Sequence, residues 1–315
     1  MPRVHVMGSL NMDLIVEVAR PPKPGETVFG RSVKTLPGGK GANQALAAAR
    51  AGATVTMIGS VGKDAFGADL RHFLASNAVD VQHVSLAESA PTGTALVVVE
   101  SNGENSIIVV PGANEHLGPS SVLGVPIASG DFALCQFETP PPTVECFFQH
   151  CRRVGVRTVL NPAPFRPDCE SIFQLSDVLV LNETELSALA GEPSLGQAST
   201  ENVLTAALKI RTHLEQTVVV TLGSKGAVAV HDDARLVISG WQVPVLDTTG
   251  AGDAFTGSLT AGLALGESLE DALMYANAAA AISVQRAGAG PSIPQRSEVE
   301  RFLAERGPIR PGSKH

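Results

Sequence analysis

Asp247-Thr248-Thr249-Gly250-Ala251-Gly252-Asp253-Ala254-Phe255 is the stretch from which the architecture can be read outward. It follows an apolar run, Trp241 to Leu246, and precedes a long Ala/Gly/Leu pattern of helical period. The order predicts a loop of small residues opening a helix. First-turn N–H groups of a helix lack intrahelical acceptors and lie at the positive end of the dipole. They form an anion site. Asp253 stands directly at its edge. Donors for moving negative charge, beside an acceptor for a hydroxyl proton, are what phosphoryl transfer to an alcohol requires. The competing reading is that Asp253 only complements the helix terminus.

The rest of the chain alternates short β-type runs with helical stretches. Strands are expected at Val4–Gly8, Thr54–Gly59, Phe132–Gln136, Thr158–Asn161, Val178–Leu181, Thr217–Thr221 and Val228–His231. Helices are expected at Ala42–Ala51, Ala65–Ser76, Glu183–Ala190, Asn202–Leu214, Ala254–Leu265 and Leu269–Val284. Several strands are apolar throughout, which indicates a mostly parallel sheet covered on both faces: an α/β, doubly wound core. Two regions break the rhythm. Leu14–Val18 with Thr27–Thr35, and Gly93–Val99 with Asn105–Val110, read as strands joined by turns, with Asn102-Gly103 a hairpin signal. They predict a small antiparallel β lid, formed by about residues 14–36 and 92–110. The alternative is that they are edge strands of the main sheet. One domain over residues 1–306 is expected, with a last helix opened by a Ser297/Glu300 capping box and a frayed tail at 307–315.

Composition narrows the function. A net charge of -8 argues against nucleic acid or an acidic membrane surface as partner. No apolar run is long enough to span a bilayer, and the N-terminus reads as a strand rather than a signal peptide. Cys135, Cys146, Cys151 and Cys169 show no C-x-x-C spacing, so they are expected as reduced thiols in a cytoplasmic protein. His5, His72 and His83 have no partner that the sequence identifies.

Several segments fall at predicted strand ends, where open α/β sheets bind ligands. Gly8-Ser9-Leu10-Asn11-Met12-Asp13 offers hydroxyl partners in Asn11 and Asp13, or an Asx-turn. Pro37-Gly38-Gly39-Lys40-Gly41-Ala42-Asn43-Gln44 lets backbone approach a ligand, or is a Gly-rich N-cap; it lacks the G-K-[ST] of a phosphate loop. In Gly59–Gly67, Asp64 reads as a structural N-cap. Glu138 is a hydroxyl acceptor or a solvated loop carboxylate. Asn182-Glu183-Thr184-Glu185 suits a hydrated Mg²⁺ or is merely an acidic first turn. Thr221-Leu222-Gly223-Ser224-Lys225-Gly226 can wrap a nucleotide or connect a hairpin.

In this order and spacing, the segments resemble the ribokinase (PfkB-type) family of carbohydrate kinases. The resemblance runs from Val4 to about Ile293. It rests on the Gly38–Asn43 region and Asp247–Phe255, and is sharpened by Gly8–Asp13, Asn161-Pro162-Ala163-Pro164 and Leu181–Glu185. It implies Asp253 as general base and Gly250, Ala251 and Gly252 as anion hole. It implies that Asn11, Asp13, Gly39, Lys40, Gly41, Ala42, Asn43 and Glu138 hold the sugar. ATP would meet Asn182, Thr221, Leu222, Gly223, Ser224, Lys225, Gly226, Gly252 and Asn277. Glu185 would act on Mg²⁺ through water. A monovalent cation, usually K⁺, would lie at Asp247, Thr249, Ser283, Arg286, Gly288 and Ser292, largely on backbone carbonyls. The lid would clasp a homodimer.

Within such a family, a phosphorylated substrate needs more cations than Lys40, and a nucleoside needs an aromatic slot that one Trp and one Tyr hardly supply. Asn11, Asp13, Asn43 and Glu138 suit an uncharged polyol. The expected reaction is therefore ATP-dependent phosphorylation of D-ribose at its 5-hydroxyl. The alternatives are a kinase of another sugar or nucleoside (fructose, deoxyribose, pseudouridine) and a non-catalytic sugar-binding regulator on the same fold.

Overall fold

The computed structural model describes residues 2–100, 105–192 and 195–307. Its strands are β1 (Arg3–Met7), β2 (Asn11–Val18), β3 (Gly30–Gly38), β4 (Thr54–Gly62), β5 (Val79–Ala87), β6 (Gly93–Glu100), β7 (Asn105–Val110), β8 (Phe132–Cys135), β9 (Arg157–Leu160), β10 (Val178–Asn182), β11 (Thr217–Thr221), β12 (Gly226–His231) and β13 (Ala234–Ser239). Its α-helices are α1 (Lys40–Arg50), α2 (Ala65–Ser76), α3 (Ser120–Leu123), α4 (Pro141–Val154), α5 (Glu170–Gln174), α6 (Glu183–Ala190), α7 (Thr200–Ile210), α8 (Ala251–Ala264), α9 (Leu269–Ser283) and α10 (Arg296–Arg306).

Nine strands form one sheet in the order β13-β12-β11-β10-β9-β8-β1-β4-β5. From β11 through β5 all pairings are parallel; only β12 runs the opposite way, antiparallel to β11 on one side and to β13 on the other. The period of two along each strand divides the core. Phe132 and Leu134 of β8 join the layer beneath α1, α8 and α9, whereas Ala133 and Cys135 join the layer beneath α4 and α7. Val178 and Val180 face the first layer, and Leu179 and Leu181 the second. Both faces are covered, so an apolar residue is favoured at every position, as expected of a doubly wound sheet.

Strands β5 and β13 are absent from the expectations above, and both are edges of this sheet. Edge strands leave one flank unpaired and carry polar side chains, so their apolar run is broken. Helix α4 was also not anticipated: its Pro-rich start, Pro140-Pro141-Pro142, masks a helix that tolerates proline only in its first turn. The helix expected at Asn202–Leu214 ends at Ile210. Helix α10 is opened by a Gln295/Glu298 capping box, two residues earlier than the expected Ser297/Glu300 pair. Asp64 caps α2 as expected, its carboxylate accepting from the Gly67 amide at 2.8 Å. The expected tail beyond Gly307 and the Asn102-Gly103 turn lie outside the described residues.

The second sheet has the order β3-β2-β6-β7. Its outer pairs are antiparallel and its central pair, β2 with β6, is parallel, because β6 arrives after the β4-α2-β5 excursion through the main sheet. The strand expected from Thr27 begins at Gly30 instead and continues to Gly38. Asn11 and Asp13, for which an Asx-turn was the alternative reading, belong to β2 itself. Leu96, Ile107, Ile108, Val109, Val110 and Val33 are exposed on this sheet. Successive residues of a strand point to opposite faces. Ile107 and Ile108 are both exposed, so neither face of β7 is covered.

Helices α1 and α8 cross closely over the main sheet. A Cβ at Gly257 would overlap the carbonyl oxygen of Gln44 and lie 2.6 Å from Ala47 Cβ. Alanine is worth up to about 1 kcal/mol more than glycine within a helix. Forced overpacking costs about 1–3 kcal/mol. The obstruction here is backbone, so the second effect wins. Gly257→Ala is expected to lower the thermal midpoint by several degrees in scanning calorimetry; an unchanged midpoint would mean that the two helices are free to separate.

Candidate active site

The carboxyl ends of β1, β8, β9, β10 and β11 point to one edge of the main sheet, and the chain deposits polar groups there in turn. After β1 come Ser9 and Asn11; after β8, Gln136 and Glu138; after β9, Asn161; at the end of β10, Asn182; at the end of β11, Thr221. The N-termini of α1 and α8 close over the same edge.

Gly250 is the N-cap of α8 and adopts a left-handed conformation (φ 77°). A side chain would be strained there and would press on Ala289, whose Cα lies 2.9 Å from the Cβ position. The turn carries the chain into Ala251, whose amide bonds back to the Thr248 carbonyl at 3.3 Å. The amides of Gly252 and Asp253 have no acceptor within the helix, as geometry dictates for a first turn. Gly252 is exposed to the cleft, and Asp253 is 8% exposed.

The Asp253 carboxylate receives two amide donors from α1. Asn43 Nδ2 donates to Oδ2 at 3.0 Å and Gln44 Nε2 to Oδ1 at 2.9 Å. Lys40, Asn161, Asn182, Glu185, Thr221, Gly250, Gly252 and Asp253 line one cleft of about 120 Å³. Glu138 is no solvated loop carboxylate: Oε2 accepts the Ser9 hydroxyl at 2.5 Å and the Lys40 amide at 3.2 Å. Asn114 fixes Asn11, donating to its Oδ1 at 2.8 Å. The Gly41 amide bonds the Ser9 hydroxyl and that of Ala42 the Ser9 carbonyl, so Gly39–Ala42 lie directly against the end of β1.

Four carboxylates and one lysine share this edge. Burial, then the charges of Glu138 and Asp253, push the carboxyl of Asp13 up to about 7. Asp253 foremost holds the Lys40 ammonium above its usual range, against burial, with help from Glu138 and Glu185. Burial raises Glu185, opposed by the Asn182 amide and Lys40 and reinforced by Asp253. Carboxylates therefore outnumber cations at this edge. Glu185 also closes a capping box with Asn182: its carboxylate accepts from the Asn182 amide at 2.9 Å, and Asn182 Oδ1 accepts from the Glu185 amide at 2.8 Å. The structural and the cleft-facing readings of this motif coexist.

A second cavity of about 460 Å³ opens from the first across Thr221 and Gly252. Gly223, Ser224, Gly226 and Asn277 border it, with an apolar wall that includes Trp241, Val243, Val245, Phe255 and Val284. Its volume is that of a small-molecule site. Thr221–Gly226 is therefore both the β11–β12 connection and a cavity rim. Two residues of that motif depart from expectation. Leu222 turns its side chain into the core at 5% exposure, and Lys225 reaches Glu183 at 3.4 Å; neither lines the cavity.

Behind the Gly250 turn, Asp247 ties two segments together. Its carboxylate accepts from the Thr249 amide at 2.9 Å and the Gly288 amide at 2.8 Å. Burial works against its charge, but these bonds outweigh it and hold the carboxyl below the usual range. Ser283 and Ser292 donate their hydroxyls to the carbonyls of Ala280 and Ala289, at 2.8 and 2.7 Å, leaving oxygen lone pairs free. The Arg286 guanidinium is paired with Glu298, so only its backbone remains for a cation. An oxygen-rich turn packed against Gly250 fits a hard monovalent ion. Among the described residues no cluster of three or more His, Cys, Asp or Glu could hold a metal.

Gln44, Gln136 and Asn161 are the site residues that the motifs above assigned no role. Gln44 and Gln136 are fully buried amides; Gln136 stands between Cys135 and Phe137 and Gln44 opens an Ala/Leu run, and a polar group beside apolar residues is the one trace they leave in the sequence.

This geometry has counterparts. The model of the pfkB family of carbohydrate kinases matches residues 1–296. A ribokinase of Haemophilus influenzae is 38% identical over 300 residues, covering 95% of this chain and 97% of the relative. A ribokinase of Bacillus subtilis is 39% identical over 306 residues, covering 96% and 100%. The structure of Arabidopsis thaliana ribokinase complexed with ribose and ATP superimposes with a TM-score of 0.86 at 34% identity, covering 96% of this chain and 98% of that one. A match of this extent means that the chain belongs to the pfkB family of carbohydrate kinases.

Proposed function

We propose that this chain transfers the γ-phosphoryl group of ATP to the 5-hydroxyl of D-ribose, giving D-ribose 5-phosphate and ADP. The observation that carries the reading is the placement of Asp253. Its carboxylate is held by Asn43 and Gln44 at the mouth of the α8 N-terminus, between the cleft with Lys40 and the larger cavity. The Arabidopsis relative named above holds ribose and ATP.

The sugar would lie along Asn11, Asp13, Gly39–Asn43 and Glu138. Carboxylates and amides pair with hydroxyls in both directions, and no cluster of cations asks for a charged substrate. Adenosine would enter the larger cavity against Val243, Val245 and Asn277, with Thr221, Gly223, Ser224 and Asn182 toward the phosphates. Asp253 takes the hydroxyl proton as the sugar oxygen attacks the γ-phosphorus. The bond from that phosphorus to the bridging oxygen breaks, and ADP leaves with the electron pair. The Gly252 and Asp253 amides, preset at the dipole's positive end, stabilise charge on the transferring group without reorganising. Lys40 adds a positive charge at the same edge. Glu185 would hold Mg²⁺ through water, and the ion would neutralise the phosphates. Asp247, the carbonyls of Thr249, Ser283, Arg286 and Gly288, and Ser292 would hold K⁺, which would add a positive field behind the anion hole. Four free thiols accord with a reducing, cytoplasmic setting.

The exposed aliphatic residues of the lid sheet support a homodimer in which each lid packs on that of a second copy. Contiguous apolar surface of this kind marks an interaction face.

Asp253→Asn is expected to keep ribose affinity in calorimetric titration while kcat falls about 10²–10⁴-fold, the scale of a general base; parent-like turnover would remove Asp253 from the role. A coupled ADP assay over pentoses, hexoses and nucleosides tests the acceptor, with ribose expected to give the highest kcat/KM. Ile108→Glu is expected to halve the mass seen by light scattering; an unchanged mass would exclude the lid as the dimer face.

Asp13 gives a pH signature. Its folded value of about 7 lies above the ordinary 3.8. Between these values the folded chain keeps a proton that the unfolded chain has lost, so stability falls as pH rises through that window and levels above it. Asp13→Asn lacks this dependence. Its thermal midpoint, relative to the parent without ligands, is expected to rise steadily from about pH 4 to about pH 7. A difference constant with pH would show a solvated carboxyl instead.

A further inference from the structure

A side-chain amide has one accepting oxygen and two N–H hydrogens. In Gln44 all three are engaged. Oε1 accepts from Gln136 Nε2 at 2.6 Å, and Nε2 donates to Asp253 Oδ1 at 2.9 Å and to Asn161 Oδ1 at 3.0 Å. Asn161 is itself fixed, donating to the Val180 carbonyl at 2.9 Å. Gln44 and Gln136 are both 0% exposed and line neither cleft described above, so they touch no substrate.

An ionised carboxylate only accepts, and this dictates a direction for the whole chain of amides. Gln44 must turn its nitrogen to Asp253, which leaves its oxygen toward Gln136. Gln136 must then turn its nitrogen to Gln44. Its own Oε1 is left buried and without a donor. Even a methyl group on Gly8 would collide with that oxygen. An orphaned buried acceptor is unfavourable, and it persists here because the donor end of Gln136 is committed to Gln44.

We propose that Gln44 and Gln136 are positioning residues, a buried amide relay that aims the Asp253 carboxylate at the incoming hydroxyl. The inference rests on Asp253 being the base. Gln44 sets the plane of the carboxylate together with Asn43, and Gln136 stops the Gln44 amide from inverting. An inverted amide would bring oxygen against oxygen at Asp253.

The test is a pair of length-conserving substitutions, Gln44→Met and Gln136→Met, singly and together, with Asp253→Asn as control. Gln44→Met is expected to lower kcat about 10–10²-fold, the effect of a misaimed catalytic group, with the ribose KM within about threefold of the parent. Because a donor to the carboxylate is lost, the acid limb of the kcat–pH profile is expected to move to higher pH. Gln136→Met is expected to lower kcat about threefold to tenfold, the scale of one hydrogen bond, and to move the same limb the same way. The double variant is expected to match Gln44→Met alone, since Gln136 acts only through Gln44. Additive losses, an unmoved acid limb, or a Gln136→Met variant with parent kcat would each overturn the relay. Should Gln44→Met fail to fold by circular dichroism, Gln136→Met, which does not touch Asp253, decides through its kcat and pH profile. An active Asp253→Asn would instead defeat the base assignment, whereas an inactive one beside a parent-like Gln136→Met would defeat the relay only.

Discussion

The close crossing of α1 and α8 is the constraint on which the site depends. Asp253 and Gly257 are one helical turn apart, so they share the face of α8 turned to α1. Absence of a side chain at Gly257 lets the two backbones meet, and the meeting brings Asn43 and Gln44 within hydrogen-bonding reach of the Asp253 carboxylate. Two amide donors from a neighbouring helix fix the orientation of that carboxylate. The packing contact and the proposed catalytic contact are here the same.

The remainder of the edge follows from the sheet. Parallel strands end at one side, and each contributes one or two polar residues before the chain turns into a helix. The residues proposed for the sugar lie on β2, at the start of α1 and after β8, those proposed for the phosphates at the ends of β10 and β11 and the start of α8. The two sets meet at Asp253, where the order of parallel strands brings distant segments of sequence together. Residues from Lys40 to Asn277 thereby line two cavities that adjoin at Thr221 and Gly252.

Much of this was legible from the amino-acid order, for physical reasons. Strands buried on both faces announce themselves as unbroken apolar runs, and β11 falls within the predicted bounds. The edge strands β5 and β13 do not, because a half-exposed strand mixes polar and apolar residues without a clear period. The parallel pairing inside the lid was hidden as well, since it depends on where the chain returns after β5. At the site, Asp253 and the glycines around it were readable because a helix opening has a local signature. Gln44 and Gln136 were not. Their meaning lies in partners 209 and 92 residues away, and no local pattern encodes such a pairing. A motif also names its neighbours indiscriminately: the Leu222 side chain packs into the core and that of Lys225 reaches Glu183, which leaves their backbone for a ligand.

Strand β2 joins two tasks in one segment. Asn11 is paired with Gly38 of β3 and with Gly93 of β6, and Asp13 with Leu36 and Ala95, so the hydroxyl partners sit at the root of the same ribbon that carries the exposed sheet. No flexible connector separates them. Any swing of that sheet must therefore rotate Asn11 and Asp13 as well, and the grip on a carbohydrate tightens or slackens in step with the cover above it.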